Sequence, residues 1–308
     1  MAAEVATDLG RYAVVQAIES NMFAYWLSLG GGDRGEIHDG PDLKWVYTGG
    51  PALNRVFGAR LDEAQVDARV ADVVARFGAW RAGVAWLVGP STRPAGLVRR
   101  LAAHGFADAG SWTGMAFDLA RASCSDARPG GPPGLVVREV ADRQTCRSWL
   151  QIVGASFRLP GGAIDTFDRV AARLGFGDRA PWRRYVGFLD GRPVSTATLF
   201  TEAGVAGVYL VATVPGARRR GLGSVLTRHV VAEARASGHR LVVLQATQAG
   251  RELYRKIGFE AYCQIGVYRW APAGGAGTLQ RWAGRLDALW RYRLGGLAEA
   301  GTWGRRPG

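Results

Sequence analysis

The segment 211–224 constrains the fold more than any other part of the chain. Residues 209–214 are mostly β-branched or aromatic, which favours an extended strand. Pro215-Gly216 breaks that strand, and apolar residues recur at helical spacing from Val225 onward. A glycine-rich turn at a helix N-terminus presents unpaired backbone N–H groups at the positive end of the helix dipole. The segment is therefore predicted to bind an anion, and phosphate or pyrophosphate suits it best.

The spacing of the glycines discriminates between the known phosphate-binding turns. No Lys-Ser or Lys-Thr pair follows them, which excludes a Walker A loop, and the third glycine of the dinucleotide fingerprint is absent. The pattern Arg218-x-x-Gly221-x-Gly223 resembles the R/Q-x-x-G-x-G/A signature of the GNAT superfamily of acyl-CoA N-acyltransferases. In that family the turn holds the pyrophosphate of coenzyme A.

A second segment strengthens this resemblance. Residues 247–259 are similar to the family pattern N-x-x-A-x-x-L-Y-x-K-x-G-F at its Leu, Tyr, Lys, Gly and Phe positions. They depart from it at Thr247, where the family often has Asn, and at Gly250, where it often has Ala. The hydroxyl of Thr247 can still form a hydrogen bond, so cofactor binding remains the expectation.

The resemblance implies an acetyl-CoA site in the second half of the chain. Backbone groups of the strand would bind the pantetheine, and a backbone N–H at a bulge near Val211 would stabilise the oxyanion. Tyr254 would be the catalytic acid that protonates the departing thiolate. The residues expected to bind the cofactor are Val211, Ala212, Thr213, Arg218, Arg219, Arg220, Gly221, Leu222, Gly223, Ser224 and Thr247.

A general base is not evident in the sequence. The strand 205–214 has no carboxylate, although many family members place a Glu there. Glu202, Asp165 and Tyr209, the last acting through water, are candidates, whereas His229 is expected to pack in the core. An acceptor amine of low pKa would need no protein base.

The two halves of the chain look related to each other. Residues 97–106 parallel residues 253–259, and each segment follows a short apolar strand. We therefore expect an α/β (α+β) tandem GNAT fold, a mixed central sheet flanked by helices, with strands between Glu260 and Trp270 completing the second copy. The first copy is degenerate at residues 59–64, which contain two acids and no glycine, so it is expected to pack and form one wall of the acceptor cleft. The predicted division is a degenerate domain at 1–122, a linker at 123–133, a catalytic domain at 134–272 and a C-terminal amphipathic tail at 273–308.

The net charge of +13 is unevenly distributed along the chain. Residues 1–134 carry 13 basic and 14 acidic side chains, whereas residues 135–308 carry 26 basic and 12 acidic ones. The positive second half should attract a polyanion such as coenzyme A, or an acidic carrier protein. No basic stripe is interleaved with aromatic residues, which argues against a nucleic acid partner.

Several other classes of protein are disfavoured by the sequence. Three cysteines without C-x-x-C spacing and four scattered histidines argue against a disulfide framework or a metal site. No signal peptide or apolar run of membrane-spanning length stands out, so we expect a cytoplasmic protein without a membrane span. The tail is expected to pack on the protein's own surface or in a homodimer, with binding to a membrane surface or an acidic partner as the alternative.

The leading functional hypothesis is transfer of an acetyl or other acyl group from acetyl-CoA or another acyl-CoA to a primary amine of a small molecule. One alternative keeps the fold and takes the acyl group from an acyl carrier protein or aminoacyl-tRNA. Another is a non-catalytic regulatory protein that binds acyl-CoA. The segment 146–174 and the first copy carry no motif that identifies the acceptor amine.

Overall fold

The computed structural model describes residues 10–32, 34–120, 131–177, 180–202 and 204–272. Most of the predicted linker and all of the predicted tail lie outside these ranges. None of the described helices combines the length and the apolar character that crossing a membrane requires.

The first half places a long helix ahead of a small αβ unit. A short 3-10 turn, Glu63–Gln65, leads into its second helix. The elements are α1 (Arg11–Leu29), β1 (Glu36–Asp39), β2 (Lys44–Tyr47), β3 (Arg55–Phe57), α2 (Val66–Ala79), β4 (Val84–Val88), α3 (Leu97–Ala103) and β5 (Ala107–Asp118).

The second half follows the predicted order up to its last strand. The elements are β6 (Leu135–Glu139), α4 (Arg143–Phe157), α5 (Gly161–Leu174), β7 (Trp182–Leu189), β8 (Arg192–Glu202), β9 (Val205–Thr213), α6 (Leu222–Ala236), β10 (Leu241–Ala246), α7 (Arg251–Ile257) and β11 (Glu260–Trp270). A capping box fixes the start of α4, because the Asp142 carboxylate accepts a hydrogen bond from the Thr145 backbone N–H at 2.7 Å.

The eleven described strands form one mixed sheet in the order β1-β2-β3-β4-β11-β5-β10-β9-β8-β7-β6. The two halves exchange their last strands, because β5 lies between β10 and β11, and β11 lies between β4 and β5. The antiparallel pairing of β5 with β10 runs from Asp118↔Leu241 to Thr113↔Ala246. The halves therefore share one backbone hydrogen-bond ladder.

This exchange corrects one prediction. Several strands were expected between Glu260 and Trp270, and the structure has one continuous strand there. The position beside β10 is filled by β5 from the first half, so the second half needs no further strand of its own. Register shifts after Ala261 and after Gly266 mark irregularities where β11 bends along β5.

The helices cover the two faces of the sheet unequally. Apolar side chains of α1, α4 and α5 pack on one face, which we name the α1 face. The helices α6 and α7 pack on the opposite face beside α2 and α3, and we name it the α6 face. Side chains alternate along each strand, so Val243 of β10 belongs to the α1 face and Val242 to the α6 face. The predicted mixed sheet flanked by helices is confirmed.

Candidate active site

The strands β9 and β10 pair over a short stretch and then diverge. Their parallel pairing is confined to Ala206↔Val242 and Gly207↔Val243. Beyond these residues β10 continues along β5, and β9 continues along β8 to Thr213. The two strands therefore leave a gap that opens toward their carboxyl ends. Among the described residues, no further strand pairs with β9 or β10 inside this gap.

A β-bulge lies on the β9 side of this gap. Thr196 and Thr198 of β8 pair with Ala212 and Tyr209 of β9, so β9 has one extra residue between the pairs. Leu210 takes a left-handed backbone conformation, with φ of 49°, and its carbonyl accepts a hydrogen bond from Thr196 Oγ1 at 2.9 Å. The bulge was predicted near Val211. In the structure, residues 210 and 211 of β9 lie opposite the single residue 197 of β8. Such a bulge re-aims the backbone groups that face the gap.

The predicted phosphate turn follows directly on β9. A 3-10 turn, Pro215–Ala217, is succeeded by left-handed conformations at Arg219 and Gly221, with φ of 63° and 77°. Gly221 is the N-cap of α6, and no side chain caps the helix. The first N–H groups of α6 are therefore free to bind an anion. The side chain of Leu222 is buried, so this residue can offer a ligand its backbone N–H.

The three arginines of the turn have different environments. Arg218 Nε donates to the carbonyl oxygen of Thr213 at 3.1 Å, and its Nη2 donates to that of Ser156 at 3.5 Å. This residue therefore links the end of β9 to the last turn of α4, besides contributing charge. Arg219 and Arg220 are exposed, and neither side chain is hydrogen-bonded or ion-paired to a described residue. Their charges remain available to a phosphate group.

Tyr254 lies on α7, on the α6 face beside the gap. Its partly buried ring packs edge-on against Phe259 at 6.0 Å, and burial raises the pKa of its hydroxyl to about 12. Among the described residues nothing hydrogen-bonds to this hydroxyl. A Cβ atom at Gly250 would lie 3.2 Å from Cε2 of Tyr254, so the departure from the family's Ala gives the ring room. Thr247 Oγ1 accepts the Gly250 N–H at 3.1 Å and so supports the start of α7.

Gly223 of α6 lies close to both β9 and α7. A Cβ atom at this position would lie 3.4 Å from Cδ1 of Leu253 and 3.9 Å from Cγ1 of Val211. Both are ordinary van der Waals distances, so one methyl group fits there and a branched side chain does not. The predicted residues of β9, the turn and α7 thus come together around one gap.

The candidate bases differ in their surroundings. His229 is only partly buried: its ring packs edge-on against Tyr185 at 4.8 Å, and its Nε2 lies 3.9 Å from a Glu233 carboxylate oxygen, so it lies at the margin of the core rather than within it. Tyr209 is buried, and burial raises the pKa of its hydroxyl well above the usual value, so the hydroxyl keeps its proton and is not available as a base. Glu202 and Asp165 are exposed at the end of β8 and on α5. The surroundings of these four residues do not identify any of them as the general base.

Asn21 of α1 is a site residue that the sequence reasoning missed. It is fully buried, and its Oδ1 accepts the hydroxyl of Tyr209 at 2.8 Å. Its Nδ2 donates to the carbonyl oxygens of Val205 at 3.0 Å and Glu202 at 3.4 Å. The first half therefore holds β9 immediately before the bulge. The available signal was a polar side chain on the apolar face of a predicted helix.

Aromatic stacking reinforces this contact between the halves. The ring of Tyr25 lies 3.8 Å from that of Tyr209, and the two planes are 2° apart. The same Tyr25 ring stacks on Trp182 of β7 at 4.9 Å. Helix α1 is thus fixed across β7 and β9 by a stack of rings as well as by Asn21.

Gly207 provides the space into which Asn21 fits. A Cβ atom at Gly207 would lie 2.1 Å from Asn21 Oδ1 and 2.5 Å from Cε2 of Tyr209, so Gly207→Ala must displace α1 or the Tyr209 ring. We expect it to lower the free energy of unfolding by about 1–3 kcal/mol, measured by urea denaturation. Gly161→Ala is the matched control, because a Cβ atom there meets nothing within 4 Å. Equal stability of the two variants would contradict this view of the interface.

The corresponding gap of the first half is closed. Strands β3 and β4 also pair in parallel over two residues, Arg55↔Ala85 and Val56↔Trp86. Beyond them the Arg93 N–H donates to the Ala59 carbonyl at 2.8 Å, and the Leu61 N–H donates to the Arg93 carbonyl at 3.1 Å. These bonds occupy the backbone groups that a pantetheine chain would need. Both the closed backbone and the glycine-free segment 59–64 argue against a coenzyme A site there.

The site lies within a segment that matches a known family. Residues 148–259 match the model of the acetyltransferase (GNAT) family. The match includes the bulge of β9, the phosphate turn and Tyr254. Comparison of the sequence with curated proteins finds no match.

Solved structures extend the similarity to both halves. The chain is similar to a GCN5-related N-acetyltransferase from Kribbella flavida, with a TM-score of 0.65 and 20% identity over 85% of this chain and 98% of that one. A GCN5-related N-acetyltransferase from Sphaerobacter thermophilus gives 0.58 and 16%, over 87% and 94%. A tandem GNAT protein from the clavulanic acid biosynthesis pathway gives 0.55 and 14%, over 87% and 97%. These similarities show that the chain has a GNAT fold.

Proposed function

We propose that this chain, whose residues 148–259 match the acetyltransferase (GNAT) family model, transfers an acetyl or other acyl group from an acyl-CoA to a primary amine of a small molecule. The observation that carries the proposal is the gap between β9 and β10, with its bulge on one side and Tyr254 on the other. The match of residues 148–259 to the family model supports acyl transfer in general. The donor, the acceptor class and the residue roles are our proposal.

The residues around the gap suit the parts of an acyl-CoA molecule. The open edge of β9 at Val211, Ala212 and Thr213 can pair with pantetheine amides as an added strand would. The uncapped N–H groups at the start of α6, with Arg219 and Arg220 beside them, can bind the pyrophosphate. An acyl-CoA bound in this way has its phosphates on the α6 face and its thioester in the gap.

The chemistry then requires stabilisation of charge and one proton donor. A backbone N–H of the bulge can stabilise the negative charge that develops on the thioester carbonyl as the amine attacks. Tyr254 can protonate the departing thiolate, since its hydroxyl keeps its proton at neutral pH and is bonded to no described residue. As the C–S bond breaks and the C–N bond is complete, the attacking nitrogen loses one proton, and through solvent this proton restores the Tyr254 hydroxyl. No carboxylate on β9 is positioned as a base, so we propose that the amine enters in its neutral form.

A thermal-shift series tests this proposal directly. Acetyl-CoA, longer acyl-CoAs and free coenzyme A should each raise the melting temperature, because a ligand at 100 times its Kd adds about 2.7 kcal/mol to the free energy of unfolding. Release of the free thiol in the presence of primary amines measures the transfer itself. No shift with any of the thioesters or with free coenzyme A would overturn the proposal.

The same series separates the alternatives. A shift without thiol release from any amine would favour a regulatory protein that binds acyl-CoA. Activity with an acyl carrier protein that falls steeply with added salt would favour the carrier donor, because that docking would depend on the basic second half.

A further inference from the structure

Arg55 of β3 is a cation without an anionic partner in the part of the chain that the structure describes. Its Nε is buried and has no hydrogen-bond partner, while Nη1 donates to the carbonyl oxygen of Asn54 at 2.8 Å. The guanidinium lies 4.2 Å from the ring centroid of Trp26, and no described carboxylate forms an ion pair with it. Burial, with a smaller contribution from the nearby Arg269 guanidinium, lowers the pKa of Arg55 to about 9. A buried charge of this kind is costly unless something pairs with it.

Arg55 lies on the α1 face, at the end of an aromatic path that starts beside the gap. The next residue of β3, Val56, packs on the opposite face, and side chains alternate along a strand. Trp26 stacks with Trp112 at a centroid distance of 6.3 Å. Trp112 precedes Thr113, which pairs with Ala246 at the end of β10. Trp112 and Trp26 therefore connect the mouth of the gap to the guanidinium.

A second set of contacts leads to the same place. Tyr209, immediately before the bulge, stacks on Tyr25 at 3.8 Å. Tyr25 contacts Trp26 edge-on at 5.3 Å, and the guanidinium of Arg55 lies over the Trp26 ring. Because α6 and the phosphate turn occupy the other face, we place the approach of the amine on the α1 face, beside α1, α4 and α5. Arg55 thus borders the side from which the acceptor arrives.

We propose that Arg55 binds the acceptor, and that the acceptor is a primary amine that also carries a carboxylate. This inference rests on the proposed function and adds the acceptor class to it. A planar guanidinium matches a carboxylate with two parallel hydrogen bonds, and the half-buried position of Arg55 strengthens such a pair. Since aromatic rings separate the guanidinium from the bulge, the amine and carboxylate are separated by an extended or ring-shaped spacer. The positive charge also disfavours a second ammonium group at this end of the acceptor.

The experiment compares amines that differ at one end. Isothermal titration into protein saturated with free coenzyme A measures binding of 6-aminohexanoate, hexylamine and 1,6-diaminohexane. Thiol release from acetyl-CoA measures kcat/KM for the same three amines. We expect the carboxylate-bearing amine to exceed the other two at least tenfold in both measurements. Equal values for the three amines, or no binding of 6-aminohexanoate, would overturn the inference.

Variants assign the preference to the guanidinium. Arg55→Gln should lose the preference for 6-aminohexanoate while its KM for acetyl-CoA stays unchanged, and Arg55→Lys should retain part of the preference. Arg99→Gln on α3, an exposed arginine, is the matched control and should behave as the wild type. A wild-type preference in folded Arg55→Gln would contradict the assignment. Failure of the proposed function gives a different result from failure of this inference. In that case acetyl-CoA itself would neither bind nor release thiol with any amine, and both proposals would be wrong.

Discussion

Replacing Tyr254 with phenylalanine should lower kcat for acyl transfer by about a hundredfold, the lower end of what a positioned proton donor contributes. The substitution removes one oxygen atom and leaves the ring packed edge-on against Phe259. Binding of acetyl-CoA, measured by isothermal titration, should stay within about twofold of the wild type, because Tyr254 acts on the leaving thiolate rather than on the ground state.

Controls make this result specific to the hydroxyl. Tyr12→Phe removes a hydroxyl from an exposed tyrosine of α1 and should leave kcat unchanged. Burial raises the pKa of Tyr254 to about 12, so its proton stays on the folded protein as pH rises through the ordinary tyrosine range. The wild-type rate should therefore show no loss of this acid below about pH 10. Undiminished turnover in Tyr254→Phe would remove Tyr254 from the mechanism.

Replacing Gly223 with valine should weaken acetyl-CoA binding at least a hundredfold, which corresponds to about 2.7 kcal/mol. The added methyl groups would extend beyond the Cβ position that already lies 3.4 Å from Leu253 and 3.9 Å from Val211. They would occupy the space between α6 and the two sides of the gap. Helix propensity does not explain such an effect, since valine is no worse than glycine within a helix.

The alanine variant is the matched control for this position. Gly223→Ala places one methyl group at ordinary contact distance from its neighbours, so it should bind acetyl-CoA within a few-fold of the wild type. Melting temperatures with and without acetyl-CoA distinguish loss of the site from loss of the fold. Wild-type affinity in the valine variant would mean that the ligand does not enter beside Gly223.

The sequence predicted the parts of the site that depend on local signals. The bounds predicted for β10 and α7 agree with the structure, because an apolar run and a helical pattern are each enclosed by residues that break them. The turn predicted before α6 is present, and its Gly221 takes a left-handed backbone that glycine adopts without strain. These features depend only on short stretches of the sequence.

Features that depend on distant contacts were not predictable in the same way. The exchange of β5 and β11 could not be read from their residues, because either strand offers an apolar pattern that suits several neighbours. Leu210 gave no sign of its left-handed backbone, since a non-glycine residue adopts it only where tertiary contacts compensate. The pairing of Asn21 with Tyr209 joins residues 188 positions apart in the sequence.

The most direct test of the central claim is the stoichiometry of acetyl-CoA binding to the whole chain, measured by isothermal titration. The open gap beside β9 and the closed gap beside β3 predict one molecule bound per chain. The same titration should detect no comparable binding to Gly223→Val. Two molecules per chain, or one that binds Gly223→Val as tightly as the wild type, would contradict a single site in the second half.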